Sequence, residues 1–307
     1  MLIKLSKVIN SLYKLLNDAT FRFNIMSNIG IYNFMSDEKY LKKKFKIFMG
    51  KKLDLEKVNT FNEKIQWLKI NDRNDLYTIM ADKYLSKEYI ASIIGKEYVV
   101  PLLGVWDKAE EIEFDKLPKQ FVLKTNHDCG GLVICKNKDD FNKKKAIKEL
   151  NNHLSKNYYL SGREWPYKNI KRKIFAEKYL EDNLTKELRD YKFFCFNGKV
   201  KCFKIDFDRF IKHRANYYNS IGEIIPCGEV ICPPDFKRNI KMPVNLELMI
   251  KLAEKLSKNI SFLRVDFYEV DEKVYFGELT FFPASGFGKF IDEKWDYVFG
   301  EWLKLKE

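Results

Sequence analysis

Between Arg264 and Gly286 the chain reads RVDFYEVDEKVYFGELTFFPASG, two alternating apolar runs joined at Asp271-Glu272-Lys273. Apolar side chains at every second position bury one face of a pleated ribbon, so the pattern demands a β-hairpin. Two acids interrupt it. With Val270 opposite Val274 across a three-residue turn, Asp266 comes directly opposite Glu278. Leu263, Val265 and Phe267 then share a face with Tyr275 and Leu279, which leaves Arg264, Asp266, Glu278 and Thr280 together on the other. Opposed acids have Cβ atoms ~4.5–5.5 Å apart and repel each other, so positive charge belongs between them. A divalent cation shared with substrate phosphates would supply it. So would Arg264 or a lysine; a register slip would part the acids, and an acid/base pair is the remaining reading.

The 307 residues, 46% of them hydrophobic, give room for one large domain or two to three subdomains with a true core. A formal net charge of +13 favours anionic partners: nucleotide phosphates, phosphorylated substrates, nucleic acid or an anionic membrane surface. Six cysteines without a C-x-x-C spacing indicate a reducing compartment, and three scattered histidines argue against a His-based zinc site. No apolar run approaches the ~18 residues of a membrane span. The opening MLIKLSKVINSLYKLLN reads as an amphipathic helix, either packed on the domain or lying on a membrane or partner, and not as a signal peptide.

Residues 1–75 read as a basic, helical N-terminal region, with a capping box at Thr60 and Glu63. From 76 to 175 strands and helices alternate: one helix over LYTIMADKYLSKEYIASII, strand YVVPLLGVW, two strands in QFVLKTNHDCGGLVICKN and a helix over 141–156. From 176 to 307 antiparallel hairpins predominate, one turning at Asn197-Gly198, with a helix near 245–257. The fold class is α+β.

Lys124 lies in a strand just before a loop containing Gly130 and Gly131, an arrangement that suits phosphate binding through backbone N–H groups, though an ordinary hairpin turn has the same look. IFAEKYLED is an apolar strand ending in acids, able to act as a hinge whose backbone reads an adenine edge. Arg209, Lys212, His213 and Arg214 cluster with aromatics; they suit a phosphate or carboxylate clamp, a solvated basic turn or a nucleic-acid strip.

Taken in order, Lys124 with its glycine loop, EKYL at 177–180, RVD at 264–266 and ELTFFP at 278–283 resemble the ATP-grasp superfamily. The runs TFNEKIQWLK, ADKY, PLLGVWD, FVLKTNHD, GREWPYKNI, AEKYLED, DYKFFCFNGK and FGELTFFPASGF look like its TupA-like family, associated with bacterial cell-surface polysaccharides, over roughly residues 50 to 300. The resemblance implies two α+β subdomains sandwiching ATP after an N-terminal helical extension. By the same resemblance Lys83 and Lys124 contact phosphates, Glu177 and Leu180 meet the adenine through their backbone, and Glu181 or Asp182 meets the ribose. Asp266 and Glu278 hold Mg²⁺ and Arg264 stabilises an acyl phosphate. Thr280 stands where the superfamily often has a metal-binding asparagine, a weaker ligand position. Lys192, Arg209, His213 and Arg214 are expected at an acidic substrate, His213 and Arg214 also in catalysis, and His127 with Asp128 over the γ-phosphate. The implied activity is an ATP- and Mg²⁺-dependent carboxylate–amine ligase acting on a uronic acid or related acid. A sugar kinase is the runner-up and a non-catalytic nucleic-acid or membrane-surface module the third reading. The expected location is the cytoplasm, extending to the inner membrane face, with no nucleic-acid partner.

Overall fold

A computed structural model describes residues 13–182, 188–208 and 211–306. The helix expected over residues 1–17 therefore falls largely outside the described residues. Two antiparallel sheets organise the chain. The smaller has the order β1-β4-β2-β3, built from β1 (Leu102–Trp106), β2 (Phe121–Thr125), β3 (Leu132–Cys135) and β4 (Ile174–Lys178). The larger has the order β10-β9-β5-β6-β7-β8, from β5 (Asp190–Phe196), β6 (Lys199–Phe207), β7 (Arg214–Asn219), β8 (Ile224–Ile225), β9 (Phe262–Val270) and β10 (Lys273–Thr280).

The β5–β6 hairpin turns at Asn197-Gly198 as the sequence predicts, both residues having positive φ (50° and 80°). The β9–β10 hairpin differs from expectation. Val270 pairs with Lys273 rather than Val274, and the turn has two residues, Asp271 and Glu272, with φ of 50° and 61°. This is the primed geometry whose twist matches the flanking strands. A register shift between Phe276 and Glu278 then inserts Gly277 as a bulge, and beyond it Glu278 stands opposite Asp266, Leu279 opposite Val265 and Thr280 opposite Arg264. The two departures cancel at the acids. They do not cancel before the bulge: Tyr275 pairs with Tyr268, and Phe276 takes the core place beside Phe267 expected of Tyr275.

Helices α1 (Ala19–Asn28) and α2 (Asp37–Met49) form a small cluster of their own around Phe23, Tyr32, Tyr40, Leu41 and Phe45. Helix α3 (Phe61–Asn71) starts at the predicted capping box, with Thr60 N donating to the Glu63 carboxylate at 3.0 Å. The single helix expected over LYTIMADKYLSKEYIASII is two, α4 (Leu76–Ala81) and α5 (Ser86–Ile94). Asp82 divides them: its Oδ1 accepts from Tyr84 N at 2.8 Å and Leu85 N at 3.0 Å, capturing backbone donors that would otherwise continue the helix. Helix α6 (Lys143–Leu154) covers the small sheet, and α8 (Leu246–Leu256), after the short α7 (Tyr158–Gly162), covers the large one.

Residues of α3, α4 and α5 belong to the main core beneath the large sheet. The division drawn from the sequence at 75/76 falls inside this helical layer, and that at 175/176 falls inside β4. The last helix, α9 (Lys294–Trp302), closes the core: Phe299 meets Phe61 and Phe196 with ring centroids 5.7 Å apart in each case. Its Gly300 presses on the start of α3, where a Cβ would stand 2.2 Å from Asn59 O. Gly300→Ala is therefore expected to destabilise the fold by about 1–3 kcal/mol, read as a drop in Tm; an unchanged Tm would show that α9 and α3 do not meet in this way.

Candidate active site

The two sheets leave a cleft with two connected chambers. The first, about 470 Å³, is largely apolar, lined by Val100, Val122, Ile134, Leu180 and Tyr268, with the chain from Lys178 to Glu181 along one side. The second, about 340 Å³, is charged and includes the glycine loop Cys129–Gly131. Lys124, Leu132, Glu177 and Tyr268 line both and mark the junction.

Strand alternation delivers the junction. Lys124 on β2 lies opposite Phe175 of β4, and Glu177 lies two residues further along that strand. The Glu177 carboxylate takes Lys124 Nζ at 2.5 Å on one oxygen and Lys87 Nζ, from α5, on the other. Burial alone would raise this carboxyl, but Lys124 and then Lys87 outweigh it and hold Glu177 below its ordinary value. In return, Glu177 keeps Lys124 above its ordinary value against the cost of burial.

The charged chamber is floored by β9 and β10. Arg264 donates to Asp266 through Nε and Nη2 at 2.7 Å each, and Nη2 reaches Glu278 at 3.0 Å. The positive charge required between the opposed acids is thus the arginine, one of the alternatives open from sequence. Lys83 approaches Glu278 at 3.7 Å and donates to the Asp128 carbonyl at 2.7 Å. Burial pushes Glu278 up, yet Lys83, Arg264, Lys192 and Lys124 together bring it down to about 2. Across the sheet Lys192 pairs with Asp190 at 2.9 Å and Asp206 at 2.7 Å, and stands 3.9 Å from Asp266.

Burial, by contrast, pushes the Asp266 carboxyl up against the pull of Arg264 and Lys192. Two carboxylates on neighbouring strands are a fitting donor set for Mg²⁺, which prefers oxygen and takes its other ligands from phosphates and water. Among the described residues no three His, Cys, Asp or Glu side chains converge as a metal cluster. The pair Asp266 and Glu278 would be the protein side of such a site.

Residues 63–304 match the TupA-like ATPgrasp family. The chain belongs to that family. A comparison with curated protein sequences returns no match. Among solved structures, similarity extends to the D-alanine–D-alanine ligase of Bacillus anthracis complexed with ATP, at 19% identity, 66% of this chain, 53% of that one and a TM-score of 0.38. The Helicobacter pylori D-alanine–D-alanine ligase gives 14% identity, 80% of this chain, 70% of that one and a TM-score of 0.42. The ATP-grasp ligase PsnB, complexed with a phosphomimetic variant of its minimal precursor, Mg and ADP, gives 10%, 72%, 57% and 0.39. The chain spans about half the length of the Bacillus anthracis ligase.

In this ATP-grasp chain, Lys83, Lys124, Gly130, Gly131, Glu177, Lys192, Arg264, Asp266 and Glu278 all line the charged chamber. Leu180 and Glu181 line the apolar one. Other sequence candidates lie elsewhere. His127 and Asp128 do not close over the cleft: His127 is buried with Nε2 3.2 Å from Lys156 O, and the Asp128 carboxylate is already taken by Thr125 Oγ1 and His153 Nδ1. They brace the glycine loop from behind. Asp182 accepts from Asp271 N at 3.4 Å, at the hairpin tip and not in the chamber lining. Thr280 pairs with Arg264 and lines neither chamber. Arg214 donates to Pro234 O at 3.0 Å, while His213 stands 3.4 Å from Cys232 Sγ and 3.6 Å from Asp206. Neither lines the chambers. Arg209 lies outside the described residues.

Sequence reasoning missed Lys87, Asp190, Asp206 and Tyr268. Asp190 precedes Lys192 by two, a spacing that shares a face on a strand, whereas Lys83 lies in the turn before α5 and its spacing to Lys87 is no helical signal.

Glu278 gives a pH test with a definite sign. Its folded-state value of about 2 lies below its ordinary 4.5, so its contribution to stability is fully present above 4.5 and is lost as the pH falls toward 2. Wild-type stability should therefore fall more steeply over that window than that of Glu278→Gln, followed by acid unfolding; parallel curves would refute the assignment.

Proposed function

We propose that the chain is an ATP- and Mg²⁺-dependent carboxylate–amine ligase that makes an amide through an acyl phosphate. Membership of the ATP-grasp family supports this. The observation that carries it is the junction at Lys124 and Glu177, where an apolar chamber opens into a charged one. A molecule with a flat apolar end and a polyanionic tail fits that division, and a nucleoside triphosphate is such a molecule.

In this reading the adenine lies between the small-sheet residues Val122 and Ile134 and Tyr268 of the large sheet, against the backbone of 178–181. Lys83, Lys87 and Lys124 meet the phosphates, with Glu177 holding the latter two lysines in place meanwhile. Asp266 and Glu278 would hold Mg²⁺, which when bound neutralises the β- and γ-phosphates and makes the terminal phosphorus open to attack. The Arg264 guanidinium, a planar fork suited to paired oxygens, stabilises charge on the transferring phosphoryl group. The acceptor in this reading is a uronic acid or related acid of a cell-surface polysaccharide, and an amine completes the reaction. In this reading the reaction takes place in the cytoplasm. No helix of the described residues is long and apolar enough to cross a membrane.

Incubation with ATP, Mg²⁺ and panels of sugar acids and amines is expected to release ADP and phosphate with amide formation. Asp266→Asn and Glu278→Gln should each lower turnover by about 10²-fold or more, the scale on which loss of one preorganised charged group is felt. A phosphorylated sugar without amide would make the protein a kinase. Absence of Mg²⁺-dependent ATP binding by calorimetry would remove the enzyme reading altogether.

A further inference from the structure

The N-terminal helical pair buries one set of apolar side chains and leaves another in water. Phe23, Tyr32, Tyr40, Leu41 and Phe45 pack between α1 and α2. The link between those helices holds Ile29, Ile31 and Phe34 outward, with relative exposures of 69%, 57% and 101%. A single exposed apolar residue needs no explanation. Three within six residues, one of them wholly in solvent, form a surface that expects a partner.

The cations beside them say which kind. Lys39, Lys42, Lys43 and Lys46 are all exposed on α2. Lys43 Nζ sits 4.7 Å from the centre of the Tyr32 ring, so positive charge directly adjoins the apolar tip. Residues 13–49 carry seven Lys and Arg against three acids. A second copy of the chain would set this lysine array against itself in a two-fold contact. A bilayer with anionic headgroups accepts protruding apolar side chains without a shaped pocket and offers phosphates to the lysines at the same depth.

We propose that Ile29, Ile31 and Phe34 enter the headgroup–acyl boundary of an anionic lipid surface while Lys39, Lys43 and Lys46 meet its phosphates. This docking does not depend on the ligase reading, because it is measured without nucleotide. The full chain is sedimented with vesicles of phosphatidylcholine alone or mixed with phosphatidylglycerol. Binding is expected only to the anionic vesicles, weakening as salt rises. The Ile31→Ser/Phe34→Ser and Lys39→Glu/Lys43→Glu double variants should each lower vesicle affinity by about tenfold or more. Their circular dichroism and Tm should stay at wild-type values, since all four side chains are exposed. No binding to anionic vesicles at low salt would overturn the proposal. So would full binding by the serine variant, which would mean diffuse basic adsorption, or a dimer in solution that the serine variant abolishes, which would make the surface a contact between copies.

Discussion

Arg264 between Asp266 and Glu278 is the contact on which the arrangement of the cleft rests. Two carboxylates on adjacent strands repel at the distance that strand pairing imposes, and of this pair Asp266 is buried while Glu278 keeps a side open to the cleft. The guanidinium removes the repulsion with three hydrogen bonds from one rigid group. Breaking the buried Arg264–Asp266 contact by removing one partner leaves charge uncompensated, a loss of about 3–5 kcal/mol in comparable cases. Because β9 lies between β10 and β5, the same contact fixes Asp266 across from Lys192, and through it the Asp190 and Asp206 pairs.

A second consequence follows from the bulge at Gly277. Upstream of it, Phe276 joins Phe267 in the core and Tyr275 faces Tyr268; downstream, Glu278 is carried to the cleft face. A regular ladder from the two-residue turn would have placed Glu278 opposite Val265 and turned it toward the core. The bulge is therefore what brings the acid to its partner, in keeping with the way such irregularities re-aim side chains beside functional sites.

The sequence made the α+β class, both hairpins, the α3 cap and the opposition of Asp266 and Glu278 legible, because each rests on local pattern: alternation, Asn-Gly, or Thr60 followed by Glu63. It did not disclose the two-residue turn at Asp271-Glu272, since neither residue is one that strongly favours positive φ in both turn positions. Nor did it show Asp82 as a helix break, because an acid within a helical period reads as a solvated face. The placement of His127 and Asp128 away from the chamber lining was not legible for a partly non-local reason: Lys156 O and His153, which engage them beside the local Thr125, lie about 25 residues or more away in sequence. Lys87 was invisible for a like reason, as its partner Glu177 comes from a different sheet strand far along the chain.

The balance of charge inside the cleft differs from that of the whole molecule and bears on what can enter. The chain carries +13, yet the charged chamber sets Lys83, Lys87, Lys124, Lys192 and Arg264 against Glu177, Asp190, Asp266 and Glu278, a surplus of one cation. Each of these five cations already has a carboxylate partner. On the ligase reading, a bare polyphosphate that drew Lys83 from Glu278 would leave that acid short of a positive partner, while Lys87 and Lys124 could meet it without leaving Glu177. A polyanion arriving with its own divalent cation would offset that loss, since Lys83 could turn to a phosphate oxygen while the cation took its place beside Glu278. On the proposed reading such a near-neutral chamber would favour a metal–nucleotide complex over the free nucleotide, and the excess positive charge of the chain lies outside it.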